Sequence, residues 1–158
     1  MKRIRSAKDK FVFHFNRSET KLLSGLLRLY PCIPPAHQPL SKGSKLPEPD
    51  SSQRLLDESL AAQRAHNARQ LAAWLGDPRR FVEDDTGCKL WLSSADLECL
   101  LQVLNDIRVG SWVRLGSPED KLEKLEAASA TNKKDFWAME MAGFFQMSLL
   151  EAVEGTDA

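Results

Sequence analysis

The sequence predicts a mainly α, compact helical domain of about four main helices with a small antiparallel strand element. Two observations carry this. Leucine-rich segments with helical spacing recur along the chain, bounded by capping and stop residues. Two short segments instead carry apolar residues at every second position: Phe11, Phe13 and Phe15 around Val12 and His14, and Cys88, Leu90 and Leu92 around Lys89 and Trp91. The length of 158 residues suits one domain over 1–158, long enough for a real core.

In Phe11-Val12-Phe13-His14-Phe15 the odd positions form an apolar face, the pattern of a half-buried strand. Asn16 can cap the next helix, with Glu19 completing a capping box. That helix carries Leu22, Leu23, Leu26, Leu27 and Tyr30, and Pro31 ends it. Residues 31–51, rich in Pro, Ser, Gly and Lys, read as a mobile proline-rich loop. A long helix follows from about Ser52 to Leu75, closed by Gly76-Asp77-Pro78. Asp84-Asp85-Thr86-Gly87 reads as a turn between extended pieces at Arg80–Glu83 and Cys88–Leu92. Ser93, with Asp96 as its reciprocal acid, caps a helix to about Trp112. A short helix is expected over Glu119–Ala128, and Asn132 caps a last one over about Lys134–Val153.

Charge excludes little but directs attention. Lys+Arg and Asp+Glu are both 22, so no global field favours nucleic acid. The basic leader Lys2, Arg3, Arg5, Lys8 and Lys10 reads as a solvated arm, with phosphate contact as its sharper alternative. No uninterrupted apolar run follows it, as a signal peptide would need, and no segment is long and apolar enough to span a bilayer. Cys32, Cys88 and Cys99 are odd in number and widely separated, which argues against a disulfide framework and for a reducing cytoplasm. His14, His37 and His66 are equally scattered, so no metal is expected. No nucleophile elbow, zinc pair or phosphate loop occurs, so no catalytic residue and no cofactor are assigned.

Polar residues inside apolar helices are the candidate site. With Leu101 at zero on an ideal wheel, Leu97, Leu104, Leu100 and Ile107 fall at about −40°, −60°, −100° and −120°. Arg108 falls at about −20° and Asn105 at about +40°, inside or beside the leucine arc. Asp106 falls at about +140°, which makes an Asp106–Arg108 pair geometrically poor. In the last helix Glu140 lies among Phe136, Phe144 and Met147, and the long middle helix offers Arg64 and Asn67. Buried charges need partners. The expectation is that Arg108 forks onto Glu140, with Asn67 or Asn105 completing the network and Arg64 competing for the same carboxylate. Such a network is either a structural clasp or the floor of a small-anion or enzymatic site around Arg108 and Glu140. Trp91, on the alternation opposite Leu90 and Leu92, is a candidate interface anchor.

The segment Leu104-Asn105-Asp106-Ile107-Arg108, with Trp91-Leu92-Ser93 upstream, resembles an uncharacterised bacterial family common in actinobacteria. Its members are small, mostly helical proteins with a Leu-Asn-Asp-hydrophobic-Arg segment. Asp77-Pro78-Arg79-Arg80-Phe81 after a long helix and the closing aromatic-rich helix match as well. The family continues its segment as Arg-Leu-x-Leu-Gly-x-Arg-Leu, whereas this chain has Arg108-Val109-Gly110-Ser111-Trp112-Val113-Arg114-Leu115. The resemblance implies attention to Asn105, Asp106 and Arg108, and brings no activity or ligand. The functional expectation is a non-catalytic cytoplasmic protein-interaction or regulatory module that forms a homodimer. Nucleic-acid binding through the basic N-terminus is the remaining alternative.

Overall fold

The computed structural model describes residues 1–7, 10–33, 49–118, 126–127 and 130–154. In chain order the elements are β1 (Lys2–Ala7), β2 (Lys10–Asn16), α1 (Arg17–Leu27), α2 (Pro49–Leu75), β3 (Phe81–Asp84), β4 (Gly87–Ser93), α3 (Ser94–Arg114) and α4 (Lys133–Glu154). The strands form one antiparallel sheet in the order β1-β2-β4-β3. Among the described residues the chain is thus a mainly helical domain of four helices on a small antiparallel sheet.

Local sequence explains the boundaries. At the start of α1, Asn16 Oδ1 accepts from the Glu19 N–H at 2.9 Å, and Glu19 Oε2 accepts from the Asn16 N–H at 2.9 Å. Ser93 and Asp96 repeat the box at the start of α3. In the β3–β4 turn, Asp84 Oδ1 accepts from the Thr86 N–H and hydroxyl at 2.7 and 2.5 Å. Those Thr86 bonds, with Lys89 nearby, hold the Asp84 carboxyl down at about 2. Gly87 has φ 146°, and a side chain there would meet the Phe15 carbonyl oxygen at 1.9 Å. Only glycine lets β2 run this close to the turn.

The inner sheet face presents Phe13, Phe15, Leu90 and Leu92, all at most 2% exposed. These pack with Trp74, Leu100, Leu104, Ile107, Phe145 and Leu149 in one hydrophobic cluster drawn from β2, β4 and all four helices. The largest helix–helix contact is α3 against α4.

Three sequence expectations need correction. The basic leader is not a free arm along its length, because the backbone of Lys2–Ala7 is a sheet edge paired with β2. The α1 helix stops at Leu27, before the expected Tyr30. The loop expected at 31–51 begins earlier, directly after α1, and ends earlier, before α2. Cys32 is buried, Pro49-Asp50-Ser51 already belong to α2, and residues 34–48 lie outside the described residues. The short helix expected over Glu119–Ala128 also lies largely outside them.

Candidate functional site

The polar residues singled out in the sequence divide between two sides of α3. The first side faces α2. Asp106 is buried, and its carboxylate is the hub. Its Oδ1 accepts from the Cys32 N–H at 2.6 Å and the Ile33 N–H at 3.3 Å. Its Oδ2 accepts from Arg64 Nε at 3.0 Å. One α3 side chain therefore holds both α2 and the segment that leaves α1. Tyr30 donates its hydroxyl to the Arg64 carbonyl at 3.3 Å. Burial, with the Asp106 carboxylate nearby, pushes that phenol's pKa up. Asn67, also buried, accepts from Gln63 at 2.9 Å and donates to Gln102 at 3.1 Å.

Gly110, one turn beyond Asp106, completes this clamp. A side chain at Gly110 would lie 2.5 Å from the Cys32 carbonyl carbon. The segment through Cys32 therefore sits directly on the α3 backbone. Arg114, another turn on, donates to the Cys32 carbonyl at 3.4 Å and pairs with Asp135 at 3.6 Å. Cys32 falls within the loop expected to be mobile; here it is 2% exposed, and burial raises its thiol pKa. Sequence reading missed Gly110 and Cys32. A signal was present, because Asp106 and Gly110 share one helix face opposite Arg108.

The second side of α3 faces α4. Arg108 and Glu140 are both exposed here and line the same open groove of about 590 Å3, with Val109, Trp112, Met139, Gly143 and Phe144. The expected Arg108–Glu140 fork is not formed, and no ion pair involving either is present among the described residues. Arg108 instead donates to Asn105 Oδ1 at 3.2 Å. Arg64 does not compete for Glu140, since it is committed to Asp106. Asn67 does not reach Arg108 either.

The cause is the direction of the α3 core. Its buried residues run from Leu97 and Leu104 at about −40° and −60°, through Leu100, Ile107, Val103 and Gly110, to Asp106 at about +140° on the wheel used above, so Arg108 at about −20° lies just outside the buried arc. Leu101, at zero, is only half-buried, and Trp112 beside it is exposed. The apolar residues near Arg108 are therefore the margin of the core and the wall of a groove. Asp106, predicted to diverge from Arg108, does so into the interior.

Exposed apolar side chains extend from the groove's lining residues Trp112 and Phe144 to Met147 and Leu150 further along α4. Trp112, Phe144, Met147 and Leu150 are 37, 46, 61 and 45% exposed. Trp91 is 37% exposed on the outer sheet face, as its alternation implied. The basic turn is internally compensated: Arg79 pairs with Asp77 at 3.1 Å, and Arg80 pairs with Asp96. Among the described residues no His, Cys, Asp or Glu group comes together that could hold a metal ion. Among them, too, no helix is long and apolar enough to cross a membrane.

Comparison with known families places the chain. A family model described as Domain of unknown function (DUF2017) matches residues 47–153, most of the chain, and the chain belongs to that family. The match takes in Arg64, Asp106, Arg108 and Glu140, and leaves β1, β2 and α1 outside it. No curated protein and no solved structure matches.

Proposed function

We propose that this member of the DUF2017 family is a non-catalytic protein-interaction module that docks a protein in the groove between α3 and α4. The observation that supports this reading is the exposed run of Trp112, Phe144, Met147 and Leu150 along one face. Contiguous exposed apolar side chains stay in contact with water at a free-energy cost that docking removes. A Trp beside an Arg is also the composition of an interface hot spot. Three buried, free cysteines fit a reducing compartment, and we place the protein in the cytoplasm of a bacterial, by resemblance actinobacterial, cell. The Leu104–Arg108 segment is the family signature in this reading, because Asp106 holds the fold while Arg108 faces the groove.

A photocrosslinking residue at Met147 tests the proposal in the native host. It should give a defined protein adduct, while the same residue at Leu55, 66% exposed on α2, should give none. Absence of an adduct at Met147, or equal adducts at both positions, overturns the reading.

A second reading, a small-anion or enzymatic site, draws on the Arg108 guanidinium facing the same groove. It ranks below docking because the Glu140 carboxylate lines that groove too and opposes an anion. Nucleic-acid binding through the basic N-terminus ranks lower still, since Lys+Arg and Asp+Glu balance at 22 each and no global field favours a polyanion.

A further inference from the structure

Along the outer side of α4, Phe136, Glu140, Gly143, Met147 and Leu150 follow at alternating steps of four and three residues. That is the spacing of a seam between two helices that wind around each other. A polar residue within such a seam sets register and partner at some cost in stability. Glu140 occupies that position, exposed and without an ion pair among the described residues. At the middle of the seam, a methyl group added to Gly143 would meet only Arg108 Cδ, at 3.8 Å. A second backbone can therefore approach closely at Gly143, with Arg108 lying beside it.

We infer that the occupant of this groove is a second copy of the chain. The two α4 helices cross antiparallel about a two-fold axis beside Gly143, and Arg108 of each copy pairs with the partner's Glu140. This inference rests on the groove being a docking face. Charge selects the occupant. The face carries one cation and one anion near each other, neither paired with the other. A two-fold rotation is the operation that exchanges them, so each meets its opposite. A partner of a single charge sign would leave one of the two facing like charge, which costs affinity. The distances allow the exchange. Gly143 and Glu140 are three residues apart, about 4.5 Å along the helix. An Arg108 held against Gly143 near the axis is thus within one turn of the partner's Glu140.

Sedimentation equilibrium on the purified full chain tests this, with circular dichroism as a fold check on each variant. Wild type should associate to twice the 17.8 kDa chain mass. Arg108→Glu and Glu140→Arg should each weaken association by about tenfold to a hundredfold, because each creates two like-charge contacts. The double variant should recover wild-type association to within about threefold. A wild-type chain that stays monomeric at about 100 μM overturns the second-copy inference and leaves docking to the Met147 crosslink. A dimer that Met147→Glu dissociates but the charge variants do not overturns the reciprocal pairing, while the docking face survives.

Discussion

Replacing Asp106 by Asn removes the charge at the centre of the clamp and keeps its shape. The amide oxygen can still accept from the Cys32 N–H, now 2.6 Å from Asp106 Oδ1. The amide nitrogen then faces Arg64 Nε across what is now a 3.0 Å bond, donor against donor. A hydrogen bond to a charged group contributes about 1.5–3 kcal/mol. Breaking a fully buried ion pair costs about 3–5 kcal/mol. Here the side chains of Arg64 and Asp106 are 16 and 8% exposed, so water reaches the guanidinium only partly. The expected loss is therefore about 2–3 kcal/mol, the upper part of the hydrogen-bond range. In a chain of this length that lowers Tm by about 5–10 °C. Urea unfolding followed by circular dichroism, at low protein concentration so that association adds nothing, reads the loss directly. Arg108→Gln, two residues away but exposed, should change stability by no more than about 0.5 kcal/mol. An Asp106→Asn chain as stable as wild type, or an Arg108→Gln chain as destabilised as Asp106→Asn, refutes the division of roles across α3.

Three further outcomes follow from the packing. Gly110→Ala places a methyl carbon 2.5 Å from the Cys32 backbone and should destabilise by about 1–3 kcal/mol, despite the helix-propensity gain. Gly25→Ala in α1 meets nothing closer than Trp137 at 3.9 Å and should stabilise by about 0.5–1 kcal/mol, so equal urea midpoints for the two variants would count against the clamp. Burial, with Glu83 and Asp84 near Cys88 and with Asp96 and Glu98 near Cys99, raises these thiols from 9.0 to about 12 and about 11. Their neutral forms are favoured in the folded state, so this contribution is complete below pH 9 and is lost as pH rises towards 11 and 12. Thiolate absorbance appearing in the native chain near pH 9 would contradict it.

The parts of the fold legible in the sequence were those whose cause is local. Asn16 with Glu19 and Ser93 with Asp96 are three-residue signals, and both helices start where they say. The Asp84–Gly87 turn is equally local. The Lys2–Ala7 strand was not legible, because it is mostly polar and becomes a strand only when β2 offers an edge. The pairing of β2 with β4 joins Phe13 to Leu90 across α1 and α2, and no short-range pattern encodes it. Cys32 follows a proline at the start of the segment read as a mobile loop. Its burial depends on Gly110 and Asp106, more than seventy residues away.

The candidate site was half legible for a related reason. A helical wheel fixes relative directions and leaves the absolute direction of the core open. It correctly separated Asp106 from Arg108, because two residues along a helix are about 200° apart. It then centred the core too near Leu101 and assigned burial to the wrong member of the pair. In the folded chain the carboxylate is enclosed and fully engaged, whereas the guanidinium holds one bond to Asn105 and faces the groove. The same five residues thus serve two demands that compete on most helices. The inward acid pins α2 and the Cys32 segment to α3, and that fixes the face of α3 left for Arg108, Val109 and Trp112 to form a wall beside α4. Loss of Asp106 should therefore disturb the groove indirectly, while loss of Arg108 should alter what the groove holds and leave the fold intact.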